Sequence, residues 1–106
     1  MVAAASGDYG KPRPHLVIQS DELTKTHSSV MLCPITSELS TYPYRVNLAA
    51  DASTGLRQPS QVMTDKILTL RRERVKSVIG RADAQALQQI SRVLIVLLGL
   101  AEGAGG

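Results

Sequence analysis

Few side chains in this sequence are placed to do chemistry, and the most pointed of them is Arg13 in Lys11-Pro12-Arg13-Pro14. A guanidinium is a rigid fork of donors that stays protonated. It therefore grips a phosphate or carboxylate bidentately and offsets developing negative charge, but it is an awkward general base. The flanking prolines restrict the backbone and help hold the direction of the arginine. Read alone, Arg13 is equally a solvated loop cation, and Lys11 in the same loop offers a second contact for an anion. Thr36 and Ser37 close the segment Cys33-Pro34-Ile35-Thr36-Ser37. Their hydroxyls can donate to a phosphate beside exposed amides that form a small anion nest, or can simply cap their own turn. Asp65 and Lys66 suit orienting an arginine and contacting a phosphate, and suit a surface salt bridge nearly as well. His15 and His27 could shuttle protons as a pair, although nothing in one sequence shows that they converge. Cys33, the single cysteine, excludes an intrachain disulfide and reads as a buried core thiol in a reducing compartment. No residues have metal-ligand spacing, and no cofactor is expected.

The elements that must position these side chains fit one domain spanning residues 1–106. Apolar residues make up 43% of the chain, but its aromatics are three tyrosines with no Phe or Trp. The core must be built from Val, Ile, Leu and Ala, and a wall of rings for stacking bases is excluded. Twelve Lys and Arg against nine Asp and Glu give a formal charge of +3, a modest bias towards anions. Met1-Val2-Ala3-Ala4-Ala5 lacks the basic start and long apolar stretch of a signal peptide. The longest apolar run, Val93 to Leu98, is far short of the ~20 residues that span a bilayer. A cytoplasmic protein without membrane insertion is expected.

Residues 6–14 are loop by their glycines and prolines, and His15 to Gln19 reads as a strand. The polar stretch 20–29 has room for one helical turn. Val30 to Cys33, apolar on both faces, predicts a central strand whose pairing Pro34 ends or whose edge it marks. Tyr44 to Leu48 alternates like a half-buried strand, 49–59 is loop with a turn at Thr54-Gly55, and Gln61 to Leu70 reads as extended. Val78 to Arg81 is a last short strand. Asp83 is an N-cap, and Leu87, Ile90, Leu94, Leu97 and Leu98 predict a helix over 83–99, with 102–106 a frayed tail. Val93, Ile95 and Val96 widen its apolar face, so the helix must be covered on several sides, by the sheet's concavity or by another subunit. The layout suggests a mostly β barrel closed by a helix.

In order and spacing, four segments resemble the MazF/PemK family of toxins from type II toxin–antitoxin systems. Gly7-Asp8-Tyr9-Gly10-Lys11-Pro12-Arg13-Pro14-His15-Leu16-Val17-Ile18 is similar to that family's basic-Pro-Arg-Pro loop and the strand after it. Leu32-Cys33-Pro34-Ile35-Thr36-Ser37 resembles its strand ending in Pro-Ile/Leu-Thr-Ser. Ser60-Gln61-Val62-Met63-Thr64-Asp65-Lys66-Ile67 looks like its Val-x-x-Asp-Gln/Lys segment, and Val78-Ile79-Gly80-Arg81 with the Leu-rich helix matches its C-terminus. The likeness covers nearly the whole chain.

That resemblance implies a small SH3-like β-barrel of the CcdB/MazF/Kid type with a C-terminal helix, a homodimer, and metal-independent cleavage of single-stranded RNA. It also implies an antitoxin whose C-terminal tail occupies the RNA groove. Arg13 and Thr36 are then the expected catalytic residues, and Lys11, Ser37, Asp65 and Lys66 the expected RNA contacts. RNA brings its own 2′-OH nucleophile. The protein need only help its proton leave, stabilise the phosphorane and protonate the 5′-oxygen. The basic run Arg71-Arg72-Glu73-Arg74 is a solvated connector or an extension of the RNA groove. Two departures stand out. Val2-Ala3-Ala4-Ala5 replaces the family's usual Arg-Gly-Asp-Ile/Val start, so a shortened first strand over 1–5 with compromised edge pairing is expected. Met63 stands where some relatives carry an arginine, removing one contact. Two alternatives remain: a CcdB-like gyrase poison, whose anchoring C-terminal side chains Glu102-Gly103-Ala104-Gly105-Gly106 do not supply, and an inactive relative that only binds antitoxin.

Overall fold

In the computed structural model, which describes residues 1–7 and 10–103, the fold is organised around one long strand, β3 (Ser29–Thr36). Asp8 and Tyr9 of the loop motif, and the end of the expected tail at 104–106, lie outside the described residues. On one flank β3 pairs antiparallel with β2 (Arg13–Val17), through His15↔Pro34, Leu16↔Cys33 and Val17↔Leu32. On the other flank it has two partners. Its first half pairs with β6 (Leu68–Arg71) and its end with β5 (Ser60–Met63). Pro34 therefore does not end the strand, contrary to expectation. It falls where β3 changes partner between Leu32 and Ile35, the place where a missing amide donor costs least.

The segment expected to run extended from Gln61 to Leu70 is interrupted by a 3₁₀ turn, Thr64–Lys66. Thr64 is fully buried there, and its hydroxyl donates to the Tyr44 carbonyl. The turn loops three residues out of the line, so β5 and β6 lie along the same flank of β3 in different registers. β4 (Arg45–Leu48) pairs with β5, and its alternating burial matches the expectation. β1 (Val2–Ala5) is short, as expected, but it is no edge: it pairs with β2 on one side and β7 (Val75–Gly80) on the other. The strand order is β4-β5-β3-β2-β1-β7, with β6 joined to β3.

Because successive side chains in a strand face opposite ways, the sheet builds a core on each face. Val2, Leu16, Cys33, Ile35, Val46 and Val62 belong to one cluster, with Ile90 of the C-terminal helix. Ala3, Ala5, Val17, Val30 and Leu32 belong to the other, backed by Leu68, Leu70 and Val75. The first helix, α1 (Asp21–Thr26), is the turn allowed for in the polar stretch, capped by the Ser20 hydroxyl at 3.3 Å from the Leu23 amide.

The long helix, α2 (Ala84–Leu97), starts after Asp83, whose carboxylate accepts from the Ala86 amide at 2.8 Å. Gly99, in the left-handed region at φ +70°, separates it from a last turn, α3 (Leu100–Gly103). Glu102 and Gly103 are thus helical rather than frayed. The helix packs by a single stripe: Ile90 is buried, with Ala86, Val93 and Leu94 against the core. Ile95, Val96, Leu98 and Leu100 are exposed, so within one chain α2 is not covered on several sides. Among the described residues no helix is long and apolar enough to cross a membrane.

Candidate active site

The strand register decides which of the chemically promising side chains meet. The β2–β3 ladder ends at His15↔Pro34, and beyond it the first residue of β2, Arg13, and the last of β3, Thr36, line the same opening. Thr36 pairs with Gln61 of β5. At this end of the sheet lies a cleft of about 540 Å³, within the range of ligand sites. Arg13, Thr36, Ser37, Glu38, Arg57 and Gln58 supply its polar lining; Pro14, Ile35, Leu56 and Ile79 supply apolar wall.

Thr36 and two buried neighbours of the cleft, Gln61 and His15, are held by hydrogen bonds. Thr36 Oγ1 accepts from the Glu38 amide at 3.0 Å, which leaves its own proton free to be donated elsewhere. Gln61, buried in the sheet, accepts from the Ser40 amide at 2.9 Å and donates to the Ser40 carbonyl at 3.0 Å and Asn47 Oδ1 at 3.0 Å. It pins the loop that carries Ser37 and Glu38. His15, also buried, lies 2.8 Å through Nδ1 from the Arg13 carbonyl. A carbonyl can only accept, so this contact puts the proton on Nδ1 and fixes the backbone of the arginine.

The side chains of Arg13, Arg57 and Glu38 have no hydrogen-bond or ion-pair partner among the described residues. Two guanidiniums and one carboxylate facing a cleft leave a surplus positive charge. Such an arrangement suits an anion with a proton to lose nearby.

Of the expected site residues, Arg13, Thr36 and Ser37 come together here; the others do not. Lys11 is exposed on the approach to β2 but does not line the cleft. Asp65 sits in the 3₁₀ turn, 3.6 Å from Arg45, and neither it nor the exposed Lys66 lines the cleft. Asp65 therefore does not orient Arg13; it balances Arg45, whose guanidinium also lies 5.7 Å from the Tyr42 ring centre. His27 is exposed in the α1–β3 connection, remote in the fold from the buried His15, so the two do not act as a pair. Cys33 is buried, and burial, followed by the charge of Asp65, pushes its thiol up to about 11. It stays a neutral core thiol at neutral pH.

The basic run is more than a solvated connector. Arg72 donates to the Thr24 and His27 carbonyls at the end of α1, the latter at 3.0 Å from Nε and 2.6 Å from Nη2. Arg74 donates to the Gly7 carbonyl at 3.0 Å and so ties down the loop leading to Arg13. Glu38, Arg57, Gln58 and Gln61 were not singled out from sequence. Gln61 carries a usable signal, a polar side chain inside an apolar extended run; Arg57 lies in a loop, where a charged side chain is ordinary.

The family model of PemK-like, MazF-like toxins of type II toxin–antitoxin systems matches residues 2–98. Over 101 residues the chain is 38% identical to a protein of Mycolicibacterium smegmatis named probable endoribonuclease MazF, covering 93% of this chain and 92% of that one. Its fold is similar to that of the Mycobacterium tuberculosis toxin MazF-mt6, with TM-score 0.82 at 24% identity over 92% of this chain and 95% of that one. It is likewise similar to a chain of the MazE–MazF structure from Deinococcus radiodurans, with TM-score 0.77 at 25% identity over 92% and 90% of the two chains.

Proposed function

The chain belongs to the PemK-like, MazF-like toxin family of type II toxin–antitoxin systems, and from that premise we propose that it is an endoribonuclease cutting single-stranded RNA in the cleft between Arg13 and Thr36. The observation that carries this reading is the unpaired guanidinium of Arg13 beside a threonine hydroxyl whose proton is free, in one ligand-sized cleft. Arg13 grips the scissile phosphate bidentately and offsets the charge that builds on its oxygens, while the Thr36 hydroxyl and Ser37 donate to the same group. Glu38, the one carboxylate among the cleft-lining residues, takes the proton of the 2′-OH. The 2′-oxygen then bonds to phosphorus, the bond from phosphorus to the 5′-oxygen breaks, and water protonates the departing oxygen. The products are a 2′,3′-cyclic phosphate and a 5′-OH, and no step is assigned to a metal. Lys11, Asp65 and Lys66 are outer contacts to the flanking RNA.

The protein acts as a homodimer joined through the apolar surface that α2 and α3 leave exposed, with Ile95, Val96, Leu98 and Leu100 as its anchors. Its cognate antitoxin places a C-terminal tail in the RNA cleft, where carboxylates meet the two arginines. A MazE partner accompanies the relative from Deinococcus radiodurans.

The test is incubation of wild type and Arg13→Ala with a long single-stranded RNA in EDTA. Arg13-dependent cuts are expected. A wild type that leaves several unrelated RNAs intact overturns the enzyme, and equal cutting by both proteins overturns the site.

A further inference from the structure

We propose that Arg57 is a second phosphate-gripping residue, engaging the RNA backbone one position away from the phosphate held by Arg13. The inference rests on the ribonuclease reading above and adds a residue to it. Arg57 lines the same cleft as Arg13, is exposed, and its side chain has no hydrogen-bond or ion-pair partner among the described residues. An arginine on a mobile surface loop would mean little. This one stands on an unusually well-built loop.

Thr54 is buried at the centre of that loop. Its hydroxyl donates to the Ala49 carbonyl at 2.7 Å and accepts from the Asp51 and Leu56 amides, each at 3.3 Å. The Thr54 amide donates to the Asp51 carboxylate at 2.8 Å. Two glycines then lock the loop against β7. Gly55 takes φ +72°, and a Cβ there would collide with the Ile79 carbonyl; a Cβ on Gly80 would collide with the Thr54 backbone. The Arg81 amide donates to the Ser53 carbonyl at 2.7 Å. Leu56 is buried in the main core immediately before Arg57, and the Ser60 hydroxyl donates to the Gln58 carbonyl at 2.8 Å just after it.

Arg57 is therefore fixed at both shoulders while its charge is left without a partner. Holding the backbone in advance lowers the entropy lost on binding, which is the arrangement a binding contact needs and a solvating residue does not. Arg13 reaches the cleft from β2, and Arg57 from the loop between β4 and β5. Two guanidiniums entering one cleft from different elements suit two successive phosphates of one strand better than a single anion. The volume of the cleft, about 540 Å³, leaves room for more than one phosphate.

The salt dependence of binding tests this. For single strands the slope of log affinity against log salt falls by about 0.7 for each phosphate contact. Cleavage sites are first mapped, and an RNA carrying a 2′-deoxy nucleotide at the cut position is titrated from about 50 to 200 mM KCl. Arg57→Gln should bind roughly tenfold more weakly than wild type at the low-salt end, with a slope shallower by about 0.7. Arg57→Lys should keep the wild-type slope while recovering only part of the affinity, because it restores the charge and not the fork. With cleavable RNA, the loss should fall on KM more than on kcat. Unaltered slope and affinity in Arg57→Gln, alongside Arg13-dependent cutting by wild type, overturn the role of Arg57 alone. A wild type that neither cuts nor binds RNA overturns the parent reading and this one with it.

Discussion

Five arginines of this protein fall into two sets, three engaged within the fold and two facing the cleft. In the stretch that runs from β6 into β7, Arg72 donates to carbonyls at the end of α1 and Arg74 holds the Gly7 carbonyl. Arg45, on β4, is balanced by Asp65 and stacked near Tyr42. In the cleft, Arg13 and Arg57 face an opening with no partner among the described residues. The first set has partners within the fold, and the second has none among the described residues. What marks Arg13 and Arg57 is that both unpartnered charges enter one cleft, where a ligand can supply the opposite charge. Clustering of arginine in the sequence misleads here, because Arg72 and Arg74 of the conspicuous run are bonded into the fold, and it is the isolated Arg13 and Arg57 that line the cleft.

That contrast can be broken in either direction. The largest effect is expected from Arg13→Ala, with kcat down by about 10²–10³-fold, the loss typical of one charge-stabilising donor, and with thermal stability unchanged because the side chain holds nothing in the fold. A comparable drop in stability would show that Arg13 belongs to the structural set. A smaller effect, roughly tenfold in kcat, is expected from His15→Leu, which removes the hydrogen bond to the Arg13 carbonyl. His15→Asn should restore most of it, since its amide can donate from nearly the position of Nδ1; equal rates for the two variants would deny His15 its positioning role.

Arg72→Ala should show the reverse of Arg13→Ala. Chemical denaturation should find it less stable by about 1 kcal/mol, because the carbonyls at the end of α1 lose their donor, while RNA cutting per folded molecule is retained. The smallest effect concerns Cys33. Its folded-state pKa is raised, so the folded protein holds the thiol proton more tightly than the unfolded chain does. The stabilising contribution is complete below the unfolded value near 9.0 and is lost as pH rises towards about 11. Stability measured over that window should fall more steeply in wild type than in Cys33→Ala, and parallel curves would contradict it.

How much of this was legible in the sequence depended on the range of the interaction concerned. The Asp83 cap, the helical spacing after it and the alternation through β4 are local patterns, and each appeared where expected. Cys33 was recognisable as core from its apolar neighbours. Pro34 misled because its missing donor matters only if a partner strand asks for it, and β3 changes partner at that point. The 3₁₀ turn at Thr64–Lys66 was hidden because it depends on Thr64 finding the Tyr44 carbonyl twenty residues away. Within the site, the types and spacings of Arg13, Thr36 and Ser37 are legible, but the pairing of β2 with β3 that brings them to one cleft is a tertiary fact. Arg57 is hidden for the same reason: its place at the cleft depends on the loop packing against β7, with Gly55 against Ile79 and Gly80 against Thr54.

The central claim is that this cleft cuts RNA with the substrate's own 2′-OH as nucleophile. The most direct measurement compares a mapped RNA substrate with the same strand carrying a single 2′-deoxy nucleotide at the cut position, with EDTA present throughout. Wild type should cut the first, leaving a 2′,3′-cyclic phosphate and a 5′-OH, and leave the second intact at that position. Cutting of both strands at similar rates would contradict it, because a nucleophile other than the 2′-OH would then be at work.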